Sequence, residues 1–439
     1  MSKGGPIRVH KLGGSVLTDA TAIRQAAAAA AATQLQSAIV VVSACAGVTD
    51  RLLSIGRRAA AGNVKEALDD AESLFAWHLE QARQLLPHAE AEEFGQALEQ
   101  LQKQAVRLCQ AIGALQELTA RTQDALVAFG ELLASQLVAK VLQAVASVPV
   151  QLVDAREYVI TDATFGRARP DVAQLQARCR QLVEYLADGA VVTQGFIGAT
   201  PEGATTTLGR GGSDYSAALF AAALQAEELT VWKDVAGVYT ADPDEIPEAE
   251  LVPELSAAEM RELAFSGAKV LHPDALEPAI ASGISVRIRS VQAAGLSGTV
   301  IRGCRDGDPM PVAMAWKMPC WLYAVPAGQQ SSLQEPTVLV AAFSRSGGLV
   351  VTEAAVEDGR YGWQLLGGPQ AMLSLIGPAP EQWTAAMLER LRRSGLPSRA
   401  WLADSALALR VFVPCEAWRE AARALHCELL RWRHSVSLQ

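Results

Sequence analysis

Short apolar runs alternate along this chain with longer stretches whose apolar positions recur at helical spacing. Ile7–Leu12 reads as a short strand, and Ala38–Val42 is continuously apolar, as in a strand covered on both faces. Val150–Val153, Ala190–Gln194, Leu229–Lys233 and Ser285–Ile288 read in the same way. Helical patterns over Val172–Ala187 and Tyr215–Ala226 lie between them. Such alternation predicts a three-layer α/β domain. From about Asp50 to Leu142 strand signal is nearly absent, and patterns such as Leu74-Phe75-Ala76-Trp77-His78-Leu79 predict a helical insert in the α/β frame.

The pattern changes after Arg302. Gly303-Cys304-Arg305-Asp306-Gly307-Asp308-Pro309 has the turn residues of a linker. Met372–Gly377 then reads as a strand, Gln382–Ser394 as an amphipathic helix, Leu407–Val413 as a strand and Ala417–Leu430 as a closing helix.

Composition narrows the class. The chain has 439 residues, half of them hydrophobic, which is enough for two or three domains with their own cores. Its formal charge of −9 argues against a nucleic-acid surface. The basic cluster Arg390-Leu391-Arg392-Arg393 reads as one helix face. No apolar segment follows the start, so no secretory signal is expected, and the Ala26–Ala32 run is too short for a membrane span. The seven cysteines lie singly, without a C-x-x-C pair. That suits a reducing cytoplasm and offers no zinc site. Cys45 reads as a small buried residue.

The chemistry concentrates in two glycine loops. Thr207-Leu208-Gly209-Arg210-Gly211-Gly212-Ser213-Asp214 leads into an alanine-rich helix. Glycines let the backbone approach a ligand, a helix N-terminus offers free N–H groups, and Arg210 presents a fork suited to carboxylate or phosphate. The second loop places Lys11 at a strand end beside Gly13-Gly14-Ser15. It is not a Walker A loop, since the lysine precedes the glycines. Both loops suit anions.

These loops, with Val42-Ser43-Ala44, Gly47-Val48-Thr49, Gly130-Glu131-Leu132 and Gly195-Phe196-Ile197-Gly198, form an ordered set. Trp232–Pro243 and Gly267-Ala268-Lys269-Val270-Leu271-His272-Pro273 extend it. The set resembles the amino-acid kinase family, with aspartate kinases the nearest match, over about Ile7–Ile301. The resemblance implies a three-layer kinase sandwich at residues 1–303, with the helical insert at about 50–142. It further implies a linker at 304–317 and a degenerate tandem pair of ACT-like α+β modules at 318–439.

The resemblance also implies ATP and L-aspartate as substrates, Mg2+ with the nucleotide, and a homodimer or higher homo-oligomer through the ACT-like region. Lys11 and Asp214 match catalytic positions. Thr49, Glu131, Phe196, Arg210 and Ser213 match the amino-acid site, with Arg210 on a substrate carboxylate and Glu131 on the α-ammonium. Lys11, Gly13, Gly14, Ser15, Lys233, Asp234, Tyr239, Lys269 and Val270 match the ATP site. His272 reads as a packed helix-end residue. Such a site needs cations and directed N–H groups rather than acid–base chemistry, because the attacking carboxylate is already ionised.

The chain departs from the pattern at several points. Ser15-Val16 stands where Thr-Ser is usual, and Lys233 stands where threonine is common. Asp244 replaces an arginine that reaches ATP in the family, which reverses a charge near a triphosphate. Two alternatives follow: a weakly active kinase-like regulatory or binding protein, or a kinase for another acidic amino acid such as glutamate. In the tail, Gly377-Pro378-Ala379-Pro380-Glu381-Gln382-Trp383 keeps one glycine of an effector turn and adds two prolines. Weak feedback inhibition is therefore expected.

Overall fold

The computed structural model describes residues 5–33, 35–268, 271, 273–305, 309–326, 338–344, 347–356, 363–395 and 400–436. The chain opens with strand β1 (Arg8–Leu12), helix α1 (Ala20–Ala31) and β2 (Ala38–Val42). Helices α2 (Val48–Ala60), α3 (Val64–Leu85), α4 (His88–Leu115), α5 (Ala120–Val127) and α6 (Phe129–Val145) follow without a strand. Next come β3 (Val150–Leu152), α7 (Val172–Cys179), α8 (Leu182–Asp188), β4 (Ala190–Gln194), β5 (Ile197–Ala199) and β6 (Thr205–Thr207). After α9 (Gly212–Leu224) and β7 (Glu228–Lys233) lie β8 (Glu254–Ser256), α10 (Ala257–Phe265), α11 (Glu277–Ala281), β9 (Ser285–Ser290) and β10 (Thr299–Arg302).

The C-terminal part contains β11 (Ala313–Val325), β12 (Val338–Ser344), β13 (Gly347–Thr352), β14 (Gln364–Leu365) and β15 (Gln370–Ile376). It ends with α12 (Pro380–Arg393), β16 (Ala400–Ser405), β17 (Ala408–Pro414) and α13 (Trp418–Val436). Two compact units result. One comprises residues 1–237 and 272–302, and the other 238–271 and 303–439.

In the first unit the strands run in the order β3-β4-β2-β1-β7-β9-β10. The pairs from β3 to β9 are parallel, and β10 alone runs against its neighbour β9. Every residue of β2 is buried, as its unbroken apolar run predicts. The insert does not keep a core of its own. Leu52, Phe75, Phe94 and Leu133 join Val40, Val42 and Val192 of the sheet in one cluster. Each such side chain contributes roughly 1.5–3 kcal/mol on burial, so insert and sheet stabilise each other. The apolar stretch Ala120–Val145 is long enough to cross a membrane, but most of it lies inside this core. The predicted helix over Val172–Ala187 is two helices, broken at Arg180–Gln181.

The second unit is built on an antiparallel sheet in the order β12-β13-β11-β15-β17-β16. β11 begins at Ala313, so residues 313–317 of the expected linker are strand. Helices α12 and α13 cover the sheet through Trp383, Met387, Leu425 and Leu429. Arg410 on β17 is buried, and donates to Glu262 Oε2 at 2.7 Å and to Ser266 Oγ at 3.0 Å. Along α13, Arg419 pairs with Glu245 at 2.9 Å, His426 Nε2 lies 2.9 Å from Thr240 Oγ1, and His434 Nε2 lies 2.8 Å from Glu250 Oε1. The final helix thus clasps the Thr240–Glu250 loop at three points.

Candidate active site

The parallel register brings Leu12, Val42 and Trp232 side by side at the carboxyl ends of β1, β2 and β7. Loops leaving such strand ends are the usual place for ligands in α/β sheets. Lys11, one residue before the end of β1, points its ammonium at Asp214 Oδ1, 2.7 Å away. Both side chains are nearly buried. A Cβ on Gly13 would stand 2.9 Å from Lys11 Nζ, so glycine there makes room for the ammonium.

Two helices aim their N-termini at the same space. α2 is entered through Gly47 at φ 74°, and α9 through Gly211 at φ 72°. Neither cap residue supplies a side-chain acceptor; Val48 and Gly212 donate to the Cys45 and Gly209 carbonyls, and the next N–H groups, of Thr49, Asp50, Ser213 and Asp214, have no acceptor among the described residues. A cavity of about 540 Å3 opens between them. Lys11, Gly14, Ser15, Thr49, Arg210 and Ser213 line it, together with Glu131, Phe196 and Asp214. Arg210 is exposed and has no ion-pair partner among the described residues. The cavity therefore combines two cations with two helix ends, a setting for anions.

Glu131 sits in the first turn of α6 and is 2% exposed. Its Oε1 accepts the Ala44 backbone N–H at 3.0 Å, while Oε2 is buried without a partner. Burial pushes its carboxyl up to about 8, against weaker lowering by backbone N–H groups and the Lys11 charge. Cys45 in the same loop is buried, and burial, with Glu131 adding, pushes its thiol up to about 12. It is a packed residue, not a thiolate.

Phe196 adopts φ 65°, a left-handed conformation that costs a bulky residue on the order of 1 kcal/mol or more. It is held there from both sides. Its N–H lies 2.9 Å from Ser216 Oγ, and its carbonyl accepts the Leu208 N–H at 2.9 Å. Ser216, in the alanine-rich helix behind the arginine loop, and Asp124, which lies outside the motifs that drew attention to the site, both order it. Asp124 takes N–H groups from Gly166 and Thr207 and the Thr207 hydroxyl, at 2.8–2.9 Å. Asp124 follows the polar run Arg121-Thr122-Gln123, so nothing local in the sequence marks it.

The expected nucleotide residues are distributed differently. Lys233 ends β7, half-buried, and its ammonium is lowered from the usual range, first by burial and then by the Lys11 charge. Asp234 follows it, exposed. Tyr239 belongs to the second unit, bridged to Leu251. Asp244 is exposed there, its N–H on Asp242 Oδ1 at 3.0 Å. Lys269 and Val270 lie outside the described residues, as does His272.

The chain belongs to the amino acid kinase family, whose model matches residues 6–290. Its relatives include aspartokinases. It is 38% identical over 310 residues to the lysine-sensitive aspartokinase 3 of Escherichia coli K12, covering 70% of this chain and 67% of that protein. It is 35% identical over 298 residues to the aspartokinase of Chlamydia trachomatis serovar D, covering 67% and 64%. The matched stretch thus spans about two thirds of each relative. Structural likeness reaches further. E. coli aspartokinase III in complex with aspartate and ADP superimposes with a TM-score of 0.76 at 29% identity, over 97% of this chain and 100% of that one. An aspartate kinase from Clostridium acetobutylicum shares the fold, with a TM-score of 0.79 at 20% identity.

Proposed function

We propose that the chain is an aspartate kinase, transferring the γ-phosphoryl group of ATP to the side-chain carboxylate of L-aspartate. One observation carries the reading: a cavity into which Lys11, Arg210 and the uncapped ends of α2 and α9 all converge. Two anions must meet for this reaction, and cations with fixed N–H dipoles offset their repulsion. The relative solved with aspartate and ADP supports the same pair of ligands here.

In this reading Arg210 clamps a carboxylate of aspartate, and Glu131 Oε2 receives its α-ammonium. Thr49 and Ser213 complete the acceptor site, and Phe196 forms its wall. Lys11 faces the transferred phosphoryl group, with the N–H groups of Gly13, Gly14 and Ser15 beside it. Asp214 holds Lys11 in place. A carboxylate oxygen of aspartate attacks the γ-phosphorus, the bond to the ADP oxygen breaks, and no proton moves. Lys233, Asp234, Tyr239, Lys269 and Val270 serve the nucleotide.

Magnesium enters with ATP. Among the described residues no group of three or more His, Cys, Asp or Glu could cage an ion. Mg2+ would be held chiefly by phosphate oxygens and water, with Asp214 the carboxylate at the phosphate end. The ion would supply charge neutralisation on the phosphates.

Self-association through the C-terminal unit completes the proposal, and light scattering on the purified chain measures it. An ATP-dependent hydroxamate assay with aspartate and glutamate side by side tests the activity. Hydroxamate with aspartate and little with glutamate supports the reading. Product with glutamate alone would make the chain a glutamate-type kinase. No product with either would favour the binding-protein alternative suggested by Asp244.

A further inference from the structure

We propose that Asp124 is a positioning residue for the acceptor site, fixing the loop that carries Arg210 from outside the cavity. The inference rests on the reading of Arg210 as the clamp for aspartate.

Asp124 lies on α5 in the helical insert and is 1% exposed. No cation pairs with it in the contacts of the described residues; its partners are neutral dipoles. Oδ2 accepts the Gly166 N–H at 2.9 Å and the Thr207 N–H at 2.8 Å, and Oδ1 accepts the Thr207 hydroxyl at 2.8 Å. The Thr207 carbonyl accepts the Ala168 N–H at 2.8 Å. Every polar atom of Thr207 is therefore fixed, three residues before Arg210. The next residue is fixed too, since Leu208 donates to the Phe196 carbonyl.

Gly166 reaches the same carboxylate from a second turn, and that turn covers the arginine loop. A Cβ on Gly209, which has φ 81°, would stand 3.2 Å from the Gly166 carbonyl. Asp124 thus gathers two backbone segments and sets where the chain departs toward Arg210. Arg210 itself has no partner among the described residues to hold its guanidinium, so its placement depends on the backbone beneath it. A clamp works only if the fork meets the carboxylate in register, and displacement by about 1 Å can cost on the order of 100-fold.

A carboxylate suits this place better than an amide. In Asp124→Asn one oxygen becomes an NH2 group, which cannot accept from N–H donors. Either the two backbone N–H groups or the threonine hydroxyl then loses its acceptor.

The test measures steady-state kinetics for both substrates in Asp124→Asn, Asp124→Ala, Thr207→Val and Arg210→Ala, with thermal melts on each. The expected result is an aspartate KM raised at least tenfold in Asp124→Asn, with the ATP KM within twofold of the parent. Thr207→Val should show a smaller rise in the same direction, and Asp124→Ala combined with Thr207→Val should add little to Asp124→Ala alone. If Asp124→Ala does not fold, the near-isosteric Asp124→Asn and Thr207→Val decide. An unchanged aspartate KM in folded Asp124→Asn, or a parallel rise in both KM values, overturns the proposal. Arg210→Ala separates the two readings: if that variant also keeps the parental aspartate KM, the clamp assignment itself has failed.

Discussion

Glu131 holds the Ala44 backbone N–H on Oε1 at 3.0 Å and leaves Oε2 buried with no partner. One carboxylate thus shapes the loop ahead of α2 and keeps an acceptor in reserve beside the cavity. With its carboxyl at about 8, Glu131 is mostly protonated at pH 7. An ammonium ligand requires the ionised form. Aspartate binding should therefore release close to one proton at pH 7 and almost none above pH 9, and affinity should rise as pH climbs from 6 to 8. Calorimetry in buffers of differing ionisation enthalpy measures the release. No release at pH 7 would remove Glu131 from the ammonium site.

The same group sets a stability prediction. Its folded value lies above the ordinary 4.5, so its contribution to stability is fully present below about 4.5 and is lost as pH rises through about 8. Glu131→Gln keeps an oxygen for Ala44 and cannot ionise. The empty variant should melt a few °C above the parent at pH 9 and close to it at pH 4, while binding aspartate far more weakly. Identical melting curves at pH 9 would contradict this.

Lys11→Ala should lower kcat by about 100-fold or more, the scale of losing one preorganised charge at a transition state. It also leaves Asp214 buried without its cation. Lys11→Ala with Asp214→Asn should regain part of the lost melting temperature without regaining turnover. Recovery of activity in the double variant would show that the pair is only structural.

Asp244→Arg should tighten ATP binding, because it restores the sign of charge that the family pattern places there. The side chain of Asp244 forms no ion pair among the described residues, so its removal breaks none of them. Titration calorimetry with MgATP is the check, and weaker binding would give Asp244 a different role.

Lysine and threonine at millimolar levels should inhibit poorly, alone or together. The turn after β15, where an effector would rest, is filled from within. Trp383 is fully buried and donates its indole N–H to the Pro378 carbonyl at 3.0 Å, while Ala379 takes φ 50°. The E. coli relative is named for its lysine sensitivity. Half-inhibition below 1 mM by either amino acid would refute the expectation.

Much of this could be read from the chain. Continuous apolar runs located β2 and β4 because strands covered on both faces need no polar positions. The glycine loops located Lys11 and Arg210 because close backbone approach admits few other residues. Asp124 was not legible, since Thr207 lies 83 residues away and nothing local marks the bond. The start of β11 was missed because Ala313–Lys317 is a short apolar run set between Pro311 and Pro319, which resembles a linker. The single core of insert and sheet was hidden for a further reason: helical periodicity tells which face is apolar, not what covers it.

The clasp of α13 on the Thr240–Glu250 loop has a consequence for biosynthesis. Thr240 and His426 are 186 residues apart. At the usual 5–20 residues per second, a ribosome adds that length in roughly 10–40 s. Through that interval the loop is outside the tunnel without the three side chains that hold it. The first unit can complete its sheet once β10 has emerged, well before the closing helix exists. A nascent chain therefore passes through a stage with a formed sheet and an unfastened Tyr239 loop. Chaperones or proteases that survey emerging chains would meet that loop before its clasp arrives.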